Sequence, residues 1–258
     1  MITTATILSG VAQGLIWAIL TLGVYLTFRI LDIADLTVEG TFPLGAAVTV
    51  VLINTGMSPA MAMLCALLAG AAAGFITGFL HTIFQIPAIL SGILTMIALY
   101  SVNIRIMSDK ATVALEQPSL KTWMLSLLPE GTVSNTVSII LGTVFCLLIV
   151  ALLYYFFGTE IGCAVRATGS NQNMARSLGV KTDRVIILGL MISNALVALS
   201  GSLIAQLDYG SALVTMGQGT IVIGLASVII GEVIFIRKDM NFALKLLAII
   251  AGAVIYRT

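Results

Sequence analysis

Apolar stretches of about 20 residues follow one another along most of this chain and restrict its fold more than any other feature, because that length lets a helix cross the hydrocarbon core of a bilayer. The stretches are continuous rather than alternating, which predicts helices and not barrel strands. We therefore expect an all-α, polytopic membrane bundle in one domain, 1–258, with about eight transmembrane helices. The predicted spans are 5–28, 41–55, 59–80, 87–107, 134–157, 184–206, 217–235 and 241–256.

The composition excludes several classes of protein. Hydrophobic residues make up 59% of the chain and charged residues 9%, against roughly 25% charged in soluble domains. A net charge of +1 does not predict nucleic-acid binding. His81 and the three scattered cysteines have neither metal-ligand nor disulfide spacing. No Lys or Arg precedes Arg29, so the first apolar run lacks the basic region of a signal peptide and is read as a true span.

Two sets of loops differ in basic residues, which are enriched on the cytoplasmic side. The more basic set, 29–40, 81–86, 158–183 and 236–240, is predicted to be cytoplasmic, which leaves both ends of the chain and segment 108–133 outside. We expect an interfacial helix in 108–133, around Trp123, with a lid over a translocation path as the alternative. The cytoplasmic set carries Arg29, Arg166, Arg176, Lys181, Arg237 and Lys238, with Arg184 just inside the next span, and the other set carries Arg105, Lys110, Lys121 and Arg257.

The polar segment 158–185 interrupts this apolar chain and must face water. We expect Ser170 to cap a short helix from Asn171 to Leu178, with Gly179 in the left-handed conformation that ends helices. Thr182 is then positioned to cap the next span.

Within this short helix Met174 and Leu178 share one face, flanked by Ala175, while Asn173 and Arg176 lie to its sides. Such a helix is marginal alone and would be stabilised in a groove of a partner. The alternative is an ordinary cytoplasmic loop whose arginines only set the topology.

The stretch GCAVRATGSNQNMARSLGVKTDRVIILGLMISNALVALSGSL resembles the cytoplasmic loop and following helix of bacterial ABC importer permeases of the branched-chain amino acid and ribose type. The resemblance implies a type II importer-like fold and a coupling helix at about 170–179 that docks on the ATPase. The matching positions are Arg166, Ala167, Asn171, Met174, Ala175, Leu178, Gly179 and, after the loop, Gly201. The residues predicted to couple to the ATPase are Arg166, Ser170, Asn171, Asn173, Met174, Ala175, Arg176, Leu178 and Gly179.

The front of the chain, FRILDIADLTVEGTFPLGAAVTV, resembles the motif after the first span of the same permeases. The likeness is greatest to a subgroup that works with a lipoprotein binding component, for which aromatic amino acids are among the suggested substrates. Family members usually have another span after the position of the final YRT, so either a tail is missing here or the protein ends outside.

The energy source is expected on another chain, because the sequence contains no GxxxxGK and not even a Gly-Lys dipeptide. ATP and Mg would bind the partner, and no cofactor is expected in this chain. The resemblance implies two permease copies in the bacterial cytoplasmic membrane, an ABC ATPase dimer and an external substrate-binding lipoprotein. A homodimer is the simplest assembly, and a heterodimer stays open.

The substrate route is read from polar residues in or beside the spans. If their segment is helical, one face at the membrane border carries Asp32, Asp35 and Glu39. These carboxylates are either simply solvated, or Glu39 and the turn from Thr41 line the inner mouth of the pathway. Asn103 and Asn194 lie within spans and should face protein or a pore.

Two other classes compete with the importer subunit. An ion-driven secondary carrier would need ionisable groups or broken helices near mid-membrane, and Asp35 and Glu39 are predicted too near the border for that role. A membrane enzyme would need a nucleophile set or paired carboxylates on a common face, and the sequence offers neither. The predicted function is the permease subunit of an ABC importer for a small solute, which the resemblance implies to be an amino acid.

Overall fold

A computed structural model describes residues 4–127, 134–235 and 240–258. They form a helical bundle with one two-stranded antiparallel ribbon, as the sequence predicts for an all-α membrane protein. The helices are α1 (Thr4–Tyr25), α2 (Val38–Asn54), α3 (Pro59–Thr82), α4 (Ala88–Ile106), α5 (Leu120–Leu127), α6 (Ser134–Gly158), α7 (Glu160–Ser170), α8 (Gln172–Ser177), α9 (Thr182–Ile204), α10 (Thr220–Phe235) and α11 (Phe242–Arg257), and the strands are β1 (Thr112–Ala114) and β2 (Ser211–Leu213).

Six segments among the described residues are long and apolar enough to cross a membrane. They are Ile7–Ile30, Pro59–Thr82, Ala88–Ile106, Asn135–Gly158, Thr182–Tyr209 and Val214–Phe235. Two further predicted spans correspond to shorter helices, α2 with 17 residues and α11 with 16. The membrane bundle is therefore confirmed, and the count of eight crossings stays a prediction.

The contact between α3 and α9 depends on a stripe of glycines on α3. A Cβ atom at Gly74 would lie 2.3 Å from the Leu190 carbonyl oxygen, and one at Gly70 would lie 2.5 Å from that of Asn194. Only a residue without a side chain permits backbones to approach this closely. Gly70, Gly74 and Gly78 recur every fourth residue, which places all three on this face of α3.

One end of the bundle, the basic end, gathers the loops predicted to be cytoplasmic. A cavity there is bordered by residues 31–34, 81, 87–89, 168–172 and 186. Beside it the Arg29 guanidinium pairs with the Glu232 carboxylate at 2.6 Å. Arg237 and Lys238 lie outside the described residues.

The opposite end, the sheet end, carries the β1–β2 ribbon and α5. The Lys121 ammonium donates to the Leu207 carbonyl at 2.8 Å, and the Asn54 amide donates to the Ala114 carbonyl, also at 2.8 Å. The described contacts thus divide the loops into the two sets that the sequence predicts. The helix expected around Trp123 is present as α5, and that side chain is exposed.

The polar segment 158–185 folds as two helices, α7 and α8, rather than as one short helix between two breaks. Ser170 is the last residue of α7, and its hydroxyl donates to the Ala167 carbonyl. The predicted cap is wrong by one residue, because the Asn171 side chain accepts the Met174 N–H at 3.0 Å. Gly179 has φ +87°, the left-handed conformation that the sequence predicts.

The start of α9 also differs from its prediction. Thr182 is the first helical residue, and the cap position is held by Lys181 without a side-chain hydrogen bond. The Thr182 hydroxyl instead accepts from the Arg176 guanidinium at 3.0 Å. This bond ties the end of α8 to the start of α9.

Candidate functional site

Segment 31–37 enters the bundle from the basic end without forming an α-helix, so α2 starts at Val38 inside the bundle. Gly40, in the first turn of α2, packs on Leu99, which lies in the central part of α4. The expectation that Asp32, Asp35 and Glu39 share a helix face at the membrane border is therefore wrong. Carboxylates spaced by three and four residues have that geometry only on a helix.

Asp35 is enclosed and hydrogen-bonded to residues from two other positions. One of its carboxylate oxygens accepts the Asn194 side-chain amide at 2.7 Å, and the other accepts the Thr37 N–H at 2.9 Å. The Thr41 hydroxyl donates to the side-chain oxygen of Asn194 at 2.8 Å. The Asn194 amide also donates to the Leu190 carbonyl. Since Asn194 lies midway along α9, this network fixes the entering segment and the first turn of α2 against the centre of the bundle.

A second chain break meets the first from the opposite side. After β2 the chain forms a 3₁₀ turn, Val214–Gly217, and α10 begins at Thr220. A Cβ atom at Gly217 would lie 2.0 Å from the Glu39 carbonyl oxygen and 2.6 Å from Pro43. The Gly219 N–H donates to the Glu39 carboxylate at 3.1 Å. The starts of α2 and α10 are thus adjacent inside the bundle.

A cavity of about 330 Å³ lies where these two helix starts meet α4. This volume is within the range of small-molecule pockets, roughly 300–1,000 Å³. Glu39 and Asn103 supply its polar side chains from within the bundle, and Gln218 stands at its exposed side. Its other lining residues are Gly40, Pro43, Met96, Ile97, Tyr100 and Val214.

The four residues predicted to line the pathway fall into two groups. Glu39 and Asn103 are in the cavity wall. Thr41 and Asn194 are fully buried and bonded to each other and to the Asp35 network. That a solute passes any of the four stays a prediction.

Sequence reasoning missed the second wall of this cavity. Val214, Gln218 and the glycines at 217 and 219 come from the stretch YGSALVTMGQGT, which the prediction treats as a loop followed by a span from 217. Three glycines and two short polar runs in that stretch are a signal for a broken helix, which transporters use at solute sites.

The residues predicted to couple to an ATPase form a compact surface at the basic end. Met174 and Leu178 are 62% and 72% exposed, while Ala175 between them is 2% exposed and packs inward. Asn173 is exposed beside them. Arg176 is held by Thr182 and by the Asp183 carboxylate at 3.0 Å, so its guanidinium braces the turn.

Arg166 and Ser170 are the members of that set on α7. The following contacts hold Arg166 in place. Its guanidinium donates to the Phe157 carbonyl at 3.0 Å and lies 5.9 Å from the centre of the Phe242 ring. Gly169 packs directly on the backbone of Ile30, which seats α7 on the end of the first span. These contacts place α7, which directly precedes α8, beside the start of the segment that leads to α2.

The family model for the branched-chain amino acid transport system permease component matches residues 6–258. The chain belongs to this permease family. Proteins of the family are transport subunits rather than enzymes, and this permease is a multi-pass protein of the bacterial inner membrane.

Several curated proteins resemble this permease over most of its length. The tyrosine transport system permease protein of Clostridioides difficile is 42% identical over 251 residues, which are 97% of this chain and 80% of that protein. The uncharacterized protein RP368 of Rickettsia prowazekii is 38% identical over 92% of this chain and 80% of its own. The autoinducer 2 import system permease protein LsrC of Photorhabdus laumondii is 30% identical over 79% of this chain and 58% of its own. No solved structure matches the permease.

Proposed function

We propose that this permease forms the pathway of an ATP-driven importer for a small solute of the amino acid class, with aromatic amino acids included. The family match and the resemblance to a tyrosine transport permease support this substrate class. The proposed unit is one permease domain, 1–258, with its coupling helix at about 170–179.

The exposed apolar face of α8 carries the proposal. In a segment that faces water, Met174 and Leu178 stand 62% and 72% exposed on and just after a helix of only six residues. A helix this short is marginal by itself, and an apolar pair on it gains stability only when a partner covers it. The partner we propose is an ABC ATPase dimer, which binds the ATP and Mg.

A second permease copy completes the proposed assembly. The cavity at the helix starts opens beside Ile97 and Tyr100, which are 59% and 48% exposed. If that side faced hydrocarbon, the carboxylate of Glu39 would border lipid at high cost. A homodimer around this face encloses the cavity and leaves an aqueous route between the copies. Lipids cover the remaining apolar surface, and an external binding lipoprotein delivers the solute.

An ion-driven carrier is the competing function. The starts of α2 and α10 lie inside the bundle and the Asp35 carboxylate is enclosed there, so the predicted position of Asp35 and Glu39 near the border no longer argues against a carrier. The exposed face of α8 and the family match favour the importer, because an ion-driven carrier works without an ATPase that such a helix would bind.

The substitution Met174→Glu tests the importer. Its carboxylate would be desolvated without a cationic partner at the ATPase contact, so we expect ATPase binding to weaken by some kcal/mol and uptake to fall. Insertion should be unchanged, because the residue lies outside the candidate spans. Uptake of labelled tyrosine and pull-down of the co-expressed ATPase are measured in the same membranes at matched permease levels.

Met57→Glu is the matched control, since Met57 is also exposed but lies at the sheet end. Normal uptake with a normal pull-down in Met174→Glu would show that Met174 is a solvated loop residue. The importer proposal would then lose its main support.

A further inference from the structure

The cavity between the starts of α2 and α10 has in its wall one buried acceptor without a partner among the described residues and one carboxylate without a described ion pair. Asn103 is 1% exposed, and its amide nitrogen donates to the Gly40 carbonyl at 3.1 Å. Its side-chain oxygen is buried and has no hydrogen-bond partner among the described residues. A buried acceptor without a partner destabilises the folded state, because its hydrogen bonds to water are lost without replacement.

Glu39 adds a charge to this acceptor. One carboxylate oxygen accepts the Gly219 N–H, and no described Lys, Arg or His forms an ion pair with Glu39. A carboxylate inside a membrane bundle is normally paired with a cation or with a solute in its pathway. The Asn103 side chain can therefore accept a hydrogen bond from a ligand, and the Glu39 carboxylate can accept one from a positively charged ligand.

Apart from Gln218 at its exposed side, the rest of the wall is mostly apolar. Met96, Ile97 and Tyr100 come from one face of α4, and Pro43 and Val214 close the cavity from α2 and from the second chain break. A ligand that fits must therefore combine a small donor-rich cation with an apolar body. A primary ammonium group has three donors and one charge, which matches two oxygen acceptors of this kind.

We propose that this cavity is a solute subsite in which Glu39 and Asn103 bind the ammonium group of an amino acid while Met96, Ile97 and Tyr100 contact its side chain. This inference rests on the proposed function, because it assigns the residues that recognise the imported solute. Glu39 has two roles in it, since one carboxylate oxygen holds the start of α10 and the other faces the ammonium group.

The test is protection of a thiol introduced into the cavity wall. Ile97→Cys is made in a permease whose three native cysteines are replaced, and the permease is assembled with its ATPase in membranes. The rate at which a small methanethiosulfonate reagent modifies the introduced thiol is measured with three probes. These are tyrosine, tyramine, which keeps the ammonium group, and 3-(4-hydroxyphenyl)propionate, which lacks it.

We expect tyrosine and tyramine to slow modification and the propionate to leave it unchanged. Glu39→Gln keeps an acceptor for the Gly219 N–H and removes the charge, so it should raise the half-protecting concentration about tenfold, or about 1.4 kcal/mol. Asn103→Leu should weaken protection in the same direction. Thermal unfolding of each variant reports whether the fold is retained.

Equal protection by all three probes, no protection by tyrosine and tyramine, or unchanged protection in a folded Glu39→Gln variant would overturn the subsite. The proposed function fails differently. If the unaltered permease neither binds the ATPase nor supports ATP-dependent uptake, the importer is wrong whatever the protection shows.

Discussion

Single polar side chains hold the centre of this bundle together. The Asp35 carboxylate and the Asn194 carboxamide are 2.7 Å apart, although 159 positions separate them in the sequence. Inside a membrane bundle such groups have no water to replace a lost partner, so each bond restricts the position of the chain that carries it. The network therefore fixes where the irregular segment 31–37 ends and where α2 begins.

Asn194→Leu should lower the stability of the permease. The change leaves the Asp35 carboxylate without the Asn194 donor, a loss of about 3 kcal/mol. The Thr41 hydroxyl loses one of its two acceptors and keeps the Thr37 carbonyl. Thermal unfolding of purified permease in detergent measures the effect. Asn173→Leu is the matched control, because Asn173 is exposed at the basic end and should change little. Equal unfolding temperatures for the two variants would contradict a structural role of Asn194.

At the scale of elements, the apolar lengths predict the helices well. The predicted span 41–55 corresponds to Val38–Asn54, and 184–206 corresponds to Thr182–Ile204. These helices follow from local hydrophobicity, which is readable without knowledge of the fold. The prediction also identifies α8, from its left-handed glycine and from a cap that it places one residue too early at Ser170, and these are local signals as well.

The structural features that the sequence does not predict depend on contacts between residues that are far apart in the chain. Asp35 has the spacing of a helix face with Asp32 and Glu39, and only its contact with Asn194 shows that it is buried in an irregular segment. Glu232 pairs with Arg29, although 203 positions separate them in the sequence. Spacing carries no information about such pairs.

The α3–α9 contact gives an element-scale prediction. Gly74→Ala would place a Cβ atom 2.3 Å from the backbone oxygen of Leu190, so the helices must separate. We expect a loss of about 1–3 kcal/mol, the usual cost of overpacking. The readout is the unfolding temperature together with the yield of monodisperse protein.

Gly158→Ala is the matched control for this change. Nothing lies within 4 Å of a Cβ atom at Gly158, which ends α6. A helical glycine replaced by alanine should gain about 0.5–1 kcal/mol there. If Gly74→Ala were equally well tolerated, the close approach of α3 and α9 would not be required for folding.

At the scale of the whole molecule, the two chain breaks connect its two ends. Segment 31–37 reaches the cavity from the basic end, and residues 210–219 reach it from the sheet end. Gly169 of α7 packs on Ile30, immediately before the first of these segments. If α7 and α8 move on a partner, few residues lie between them and the start of α2, so the movement would act on that start. Coupling between an ATPase and a solute pathway requires a short connection of this kind.

The orientation of the molecule is the last prediction. The basic end carries Arg29, Arg166, Arg176, Lys181 and Arg184 among the described residues, and short loops rich in Lys and Arg stay in the cytoplasm. A cysteine introduced in place of Ser170 should therefore be protected from an impermeant maleimide added to intact cells, while one in place of Ala111 should react. Both positions are exposed, so only the side of the membrane on which they lie distinguishes them.

The native cysteines are replaced first, because Cys163 is itself exposed at the basic end. After the membranes are opened, both positions should react at similar rates, which shows that the Ser170 position was shielded by the bilayer and not by the fold. Labelling of the Ser170 position from outside, with the Ala111 position protected, would show that the molecule has the opposite orientation. In that orientation α8 could not bind a cytoplasmic ATPase.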